Sequence, residues 1–199
     1  MKKSLLRKTI TTFMIMALGA CSDSSKDEPQ VEVTINGIAY EEVPRRNLFD
    51  PRLPYSITIW EQCSAARCQH TLIPLNRDDP TYRFSFYLSL ENNTLVIGQD
   101  YQIIPPPFSD IDFMNPYDMM EYTSTLSPGT GIAHCYKDFS FENQFILCGN
   151  IRIEDYDESR HLCYGSLSLL SEEESTDPIR MTGTFKVTKI GGQISRPSL

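Results

Sequence analysis

The sequence is poor in basic residues, and this shortage excludes several classes of partner. Among its 199 residues, 18 are lysine or arginine and 26 are aspartate or glutamate, so the formal net charge is −8 at pH 7. Nucleic acid binding needs a cationic surface, and so does electrostatic adhesion to anionic lipid headgroups. We therefore expect no nucleic acid partner and no charge-driven adhesion to a membrane surface.

Motifs of the common catalytic classes are also missing. The sequence has no G-x-S-x-G nucleophile elbow, no H-E-x-x-H zinc motif and no glycine-rich phosphate loop. Acidic pairs such as Asp155 and Asp157 are available for glycosidic chemistry, but this chemistry needs two carboxylates at a set separation across a cleft. Clustered acids in turns are usually solvated instead. We predict a protein that is not an enzyme and carries no cofactor.

Each of the three histidines lies within two residues of a cysteine, which raises the question of a metal site. Zinc needs four converging ligands, usually from closely spaced cysteine pairs, and the C-x4-C spacing here fits loosely. A catalytic Cys/His pair is disfavoured because neighbours on a strand point to opposite faces. Disulfides and buried thiols are the alternatives, and the sequence leaves the pairing open. We predict no metal at the three groups, which are Cys63/Cys68/His70, His134/Cys135 and His161/Cys163.

A short targeting segment occupies the N-terminus. Four basic side chains among the first eight residues precede an apolar stretch that is too short to span a bilayer. Leu18-Gly19-Ala20-Cys21 then resembles the lipobox of bacterial lipoproteins, which implies a signal peptide at 1–20 and a diacylated N-terminus at Cys21. Removal of the signal peptide leaves 14 basic and 26 acidic residues, a net charge of −12.

Residues 21–30 are predicted to form a lipidated acidic tether. The segment after Cys21 is polar and acidic and lacks apolar residues, which favours disorder. An acidic run directly after the lipid cysteine resembles the surface-export signal of Bacteroidetes lipoproteins, and Ser22 resembles an outer-membrane sorting residue. We therefore expect lipid attachment to the outer membrane and a position on the cell surface, with a periplasmic orientation left open.

Residues 31–199 predict a single all-β domain, an antiparallel β-sandwich or a barrel-like fold. Val31–Ile35 alternates apolar and polar residues before Asn36-Gly37, a strong hairpin signal. Strand-like runs then recur at about ten-residue spacing. One helical turn is predicted near Tyr117–Tyr122. Further strands are predicted at Tyr55–Glu61, His70–Leu75, Tyr82–Leu90, Thr94–Ile97, Tyr101–Ile104, Gly131–Tyr136, Gln144–Glu154, His161–Leu170 and Met181–Ile190.

The C-terminal third carries a pattern that resembles a known group of proteins. Strand pairs of the form G-x-φ-x-φ end in G-x-F-x-V, as in small Bacteroidetes surface lipoproteins of an uncharacterised all-β domain family. The resemblance covers residues 31–43 and 144–190, and it implies a surface-lipoprotein β-domain without catalytic residues. Its segments are Ile35-Asn36-Gly37, Gly149-Asn150-Ile151-Arg152-Ile153, Asp155-Tyr156-Asp157, Tyr164-Gly165-Ser166-Leu167-Ser168-Leu169 and Met181-Thr182-Gly183-Thr184-Phe185-Lys186-Val187.

Residues 105–130 interrupt the strand pattern with five prolines and many apolar side chains. Long loops of this kind are often functional, and the alternative is that their side chains plug one end of the sheet. We predict a non-catalytic binding or accessory module for a glycan or a protein, with residues 105–122 as the contact region. The alternative is a structural or interaction subunit of a cell-envelope or fimbria-like assembly. Possible ligand contacts are the aromatic residues Trp60, Tyr101, Phe108, Phe113, Tyr117 and Tyr122.

Overall fold

The computed structural model describes residues 30–42, 56–74, 79–106, 115–138, 140, 143–171 and 178–196. The predicted signal peptide, Cys21, Phe108 and Phe113 lie outside the described residues. Of the predicted tether, only Gln30 is described. The predictions for them stay predictions. Within the described ranges, no helix combines the length and the apolar character that a membrane span requires.

The described ranges contain twelve strands and one helix, α1, at Pro116–Thr125. The prediction of an all-β fold is confirmed. The strands are β1 Gln30–Ile35, β2 Ile38–Glu42, β3 Ser56–Trp60, β4 Ala65–Pro74, β5 Tyr82–Ser89, β6 Thr94–Val96, β7 Asp100–Ile103, β8 Thr130–Lys137, β9 Gln144–Asp157, β10 Leu162–Ser171, β11 Arg180–Ile190 and β12 Gln193–Ser195.

Eight strands pair into a closed ring in the order β1, β11, β10, β9, β8, β5, β4, β2 and back to β1. β3 pairs with β4 and β11, and β7 pairs with β8 and β9. Three pairings are parallel, namely β11–β3, β7–β8 and β12–β6, so the expectation of a purely antiparallel domain was wrong. Alternation identifies a strand, but it carries no information about the direction of a distant partner.

The ring encloses the main hydrophobic core, because alternate residues of its strands point inward. On β5, Phe84 and Phe86 are fully buried, and the rings of Phe86 and Phe185 lie 5.7 Å apart. On β3, Ile57 and Ile59 point into the core. Because neighbours on a strand point to opposite faces, Trp60 lies on the outer side of the sheet.

The predicted hairpin at Asn36-Gly37 is confirmed. Asn36 has a φ of +51° and Gly37 a φ of +83°, as a two-residue turn with the hairpin twist requires. Asn36 also holds the neighbouring strand, since its N–H donates to the carbonyl of Arg180 at 2.9 Å and its Oδ1 accepts from the Arg180 N–H at 2.8 Å. The turn thus fixes β1 and β2 against β11.

The helix and β4 differ most from their predicted lengths. The predicted helical turn is a ten-residue helix, because Asn115 caps it by accepting from the Tyr117 N–H at 3.0 Å and Pro116 occupies its first turn. β4 begins at Ala65 rather than at His70. Alanine has low strand propensity, so the pattern gave no signal there, but full burial in the sheet favours the extended backbone.

α1 packs on the outer face of the ring and builds a second apolar cluster there. Its buried Met119 and Met120 lie against outward-facing side chains of β4, β5 and β8. The hydroxyl of Ser89 donates to the carbonyl of Leu126 at 2.9 Å and ties the end of the helix to β5. The cluster comprises Ala65, Tyr87, Met119, Met120 and Ile132, with Trp60, Cys63, Tyr122 and Leu126 packed against it.

Candidate functional site

Three of the predicted contact residues come together beside α1, and we call them the aromatic site: Trp60, Tyr117 and Tyr122. The rings of Trp60 and Tyr117 meet edge to face, with centroids 5.4 Å apart and an interplanar angle of 89°. Tyr117 is 65% exposed, whereas Trp60 and Tyr122 are half-buried against the second apolar cluster. The site thus presents one open aromatic ring on a rigid base.

Local structure fixes the backbone that carries each ring of the pair. β3 ends at Trp60, whose carbonyl accepts from the Cys63 N–H at 3.1 Å to form a tight turn. Tyr117 lies in the first turn of α1, where its own N–H is held by the Asn115 cap. Asp118 favours this end of the helix, since a carboxylate in the first turn complements the helix dipole.

Polar side chains lie near the two rings in sequence and are open to solvent. Glu61 and Gln62 follow Trp60 in the turn, and Asp118 and Glu121 follow Tyr117 on α1; all four are exposed. The indole Nε1 of Trp60 is buried and has no hydrogen-bond partner among the residues that the structure describes. An open ring can stack on a ring-shaped polar molecule, and exposed carboxylates and an amide on the same two elements can add hydrogen bonds.

Tyr101, another predicted contact, lies in the core instead. It is 1% exposed, and its hydroxyl accepts from the Val96 N–H at 3.2 Å. Burial raises its pKa to about 12. The prediction of a ligand contact is therefore corrected: Tyr101 and Ile103 alternate with Asp100 and Gln102 along β7, and this alternation was the signal for an inward ring.

A second group of outward-facing residues lies next to the aromatic site, and sequence reasoning missed it. Nine side chains form three rows across β4, β5 and β8, and we call them the polar panel. The nine include two arginines and a histidine and no carboxylate. The rows are Arg67, Tyr87 and Ile132, then Gln69, Ser85 and His134, then Thr71, Arg83 and Tyr136.

Aromatic and cationic contacts connect the polar panel internally. The guanidinium carbon of Arg67 lies 5.8 Å from the centroid of the Tyr87 ring, and Nη2 of Arg67 donates to Oε1 of Gln69 at 2.9 Å. The imidazole ring of His134 stacks on the Tyr87 ring, with their centroids 6.1 Å apart. Burial, and then the positive charges of Arg67 and Arg83, lower the pKa of His134 to about 3, so its ring is neutral at pH 7.

Comparison with known proteins gives no assignment. No family model, no curated protein and no solved structure matches this chain. The resemblance to Bacteroidetes lipoproteins therefore stays a prediction.

The cysteines that the sequence left open are all free thiols in the described residues, and Cys68, Cys135 and Cys163 among them are buried. His134 and Cys135 point to opposite sides of the sheet, as neighbours on a strand must. His161 lies in an exposed turn, where its Nδ1 is 3.0 Å from the Tyr156 hydroxyl, whereas Cys163 points into the core. Within the described ranges, no three histidine, cysteine or acidic side chains converge as metal ligands.

A shallow groove of about 500 Å³ lies on the outer face of β1, β2 and β11. Three threonines and two glutamates line it, and Glu32 and Glu41 are direct neighbours across β1 and β2. The hydroxyls of Thr34 and Thr182 lie 2.9 Å apart and bond to each other. The groove lacks an aromatic platform facing outward, since Tyr40 is buried. The aromatic site therefore remains the better candidate.

Proposed function

We propose that this protein is an outer-membrane lipoprotein, anchored by lipid on Cys21, and that its barrel-like domain binds a glycan at the aromatic site without catalysis. The Trp60–Tyr117 pair carries the proposal, since it holds a 65% exposed ring in a fixed orientation. Tyrosine and tryptophan supply large contact areas at low conformational cost, which suits them to such a site. The apolar face of a sugar ring stacks on an aromatic ring of this kind.

The distribution of exposed apolar groups supports a glycan over a protein ligand. The large hydrophobic side chains exposed in the described residues are Ile38, Tyr117 and Leu170, and they lie on three different elements. A protein-docking surface usually has a contiguous apolar patch. Exposed carboxylates on α1 and exposed Glu61 and Gln62 in the turn after Trp60 instead offer acceptors and donors for sugar hydroxyls.

The test uses the mature chain, residues 21–199 with Cys21→Ser, which keeps every described residue and cannot be lipidated. A glycan array identifies the ligand class, and titration with the best glycan is followed by fluorescence of Trp60, the only tryptophan in the chain. We expect saturable binding, a change in Trp60 emission, and at least ten-fold weaker binding for Tyr117→Ala.

Tyr164→Ala is the matched control. Tyr164 lies on β10, which is opposite β4 in the ring and thus far from α1. This variant should bind the glycan as the parent chain does. Absence of binding across the array, or equal affinities for Tyr117→Ala and the parent, would reject a glycan site here and direct attention to a protein partner in the envelope.

A further inference from the structure

The solvent-facing side of α1 carries negative charge and no cation. Tyr117, Asp118 and Glu121 are the exposed residues of its first two turns, and the sequence from Asn115 to Gly129 has no lysine, arginine or histidine. A helix gains stability from a basic side chain near its C-terminus, yet the last turn of α1 has none. The surface of α1 is therefore acidic around its exposed aromatic ring.

Glu121 lies beside the Tyr117 ring. The two residues are four positions apart on α1, and side chains at this spacing are neighbours on a helix surface, with β-carbons about 5–6 Å apart. Asp118, three positions before Glu121, belongs to the same exposed side of the helix. The helix alone thus groups one open ring with two carboxylates.

The carboxylate of Glu121 makes no hydrogen bond or ion pair with any residue that the structure describes. The other acids near the aromatic site have interactions within the protein. Asp118 supports the start of the helix, since its Oδ1 accepts from Nδ2 of Asn115 at 2.7 Å. Glu61 lies within electrostatic reach of the Lys189 ammonium. Glu121 is therefore the acid best placed to receive an external cation.

The Tyr117 ring can bind a cation on an open face. Its edge-to-face contact with Trp60 uses at most one face of the ring, and the side chain is 65% exposed, so another face is open to solvent. The face of an aromatic ring carries the negative part of its quadrupole and attracts an ammonium group within about 6 Å of the ring centroid. The neighbouring Glu121 carboxylate acts on the same charge.

We propose that the glycan bound at the aromatic site bears a free amino group, so that the ligand is a cationic amino sugar whose ammonium lies on Tyr117 and pairs with Glu121. This inference rests on the proposed function. A neutral sugar would use the stacking surface alone and leave Glu121 without a partner. An acidic sugar would be repelled by Asp118 and Glu121.

Two trisaccharides of glucosamine separate the charge from the rest of the sugar. One has free amino groups and the other is its fully N-acetylated form, and at pH 6 only the first is cationic. Calorimetry of the mature Cys21→Ser chain in 50 mM NaCl measures both affinities. We expect the free amine to bind at least ten-fold tighter, and this preference to shrink at higher salt because ions screen exposed charges. Equal affinities would overturn the inference.

Variants assign that preference to the ring and the carboxylate. Glu121→Gln keeps the size of the side chain and removes its charge, so the preference should be lost while the affinity for the acetylated form is unchanged. Glu121→Lys places an ammonium beside the ring and should weaken binding of the free amine further. Because Glu121 is exposed, both variants should fold, which thermal melting checks. A preference that survives Glu121→Gln or Tyr117→Ala would overturn the inference.

Glu41→Gln is the matched control. Glu41 is an exposed glutamate on β2 that pairs with Ile73 of β4, whereas Trp60 pairs with Ala65 of the same strand. Eight residues of β4, about 26 Å of extended chain, separate the two positions. Glu41→Gln should keep the ten-fold preference. Its loss in this variant too would show a general attraction to the acidic chain and would also overturn the inference.

The readouts separate this inference from the proposed function. If the two trisaccharides bind equally and both depend on Tyr117, the glycan site stands and the cationic ligand is rejected. If neither trisaccharide nor any arrayed glycan binds, choline, a permanent cation without a sugar ring, decides the reverse case. A change in Trp60 emission with choline that Glu121→Gln abolishes would keep the cation site and reject the glycan, and no change would reject both.

Discussion

The Phe185 ring lies over Gly165 and occupies the space that a side chain of Gly165 would need. The two residues are direct partners across β10 and β11. A β-carbon on Gly165 would lie 2.2 Å from Cζ of Phe185 and 2.5 Å from the carbonyl oxygen of Arg152. Both distances are far below van der Waals contact, so this position of the ring requires glycine.

Gly165→Ala should therefore lower the free energy of unfolding by about 2 kcal/mol, a typical cost of overpacking a core. Urea unfolding followed by circular dichroism measures the change. Ser166→Ala, on the outer side of the same strand, is the control and should cost less than about 1 kcal/mol. Adding Phe185→Leu to Gly165→Ala should restore part of the loss relative to Phe185→Leu alone; strict additivity of the two changes would contradict the contact.

Tyr117→Ala should shift the emission of Trp60 to longer wavelength. Removal of the Tyr117 ring exposes the indole that it contacts edge to face, and the lost pair contributes about 1 kcal/mol to stability. The emission spectrum of the native protein and urea unfolding measure the two effects. Tyr164→Ala should leave the emission maximum unchanged, and an unchanged maximum in Tyr117→Ala would show that the rings do not meet.

His134 should make stability depend on pH in mildly acidic solution. Its pKa is about 3 in the folded protein against an ordinary value of 6.5, so below pH 6.5 the unfolded chain takes up a proton that folded His134 does not. Its contribution is present in full above pH 6.5 and is lost as the pH falls toward 3, with a limiting slope of about 1.4 kcal/mol per pH unit.

Urea unfolding at pH 7, 5.5 and 4.5 tests this dependence by comparing slopes rather than absolute stabilities. His134→Gln should flatten the dependence, whereas His161→Gln, which changes an exposed histidine, should keep the parent slope. A parent-like slope in His134→Gln would assign the acid sensitivity to other groups.

The described cysteines should differ sharply in reactivity toward a thiol reagent. In the mature Cys21→Ser chain, only the partly exposed Cys63 and Cys148 should react within minutes, while Cys68, Cys135 and Cys163 should react only on unfolding. Burial raises the pKa of Cys163 to about 12, and the thiolate is the reactive form. Fewer than five thiols in guanidinium without reductant would reveal a disulfide.

Cys21→Ser should release the protein from the membrane or leave its signal peptide uncleaved. The parent chain, expressed in a diderm bacterium, should fractionate with membranes and incorporate labelled palmitate. Cys63→Ser, which keeps the lipobox, is the control and should behave as the parent does. A processed Cys21→Ser chain that stays with the membrane would exclude the lipid anchor.

Local sequence patterns predicted the strands better than they predicted the site. Alternation along Val31–Ile35 identified β1, and Val31, Val33 and Ile35 are buried because the pleat puts alternate residues on one face. Alternation did not reveal which residues group on the outer face, and Arg67 and Arg83 were left out of every candidate site. Their grouping depends on the register between β4, β5 and β8, which no local pattern encodes. Trp60 and Tyr117 likewise meet only through the packing of α1.

The closure of the ring has a consequence for the order of events during synthesis. β1 pairs with β11, and the bonded hydroxyls of Thr34 and Thr182 are 148 residues apart in the chain. Contacts between distant segments are slow to form. The pairing of β1 with β11 cannot form before β11 has left the ribosome. The nascent chain therefore remains open through most of translation, which is the state that a secretion channel accepts and that chaperones must protect from aggregation.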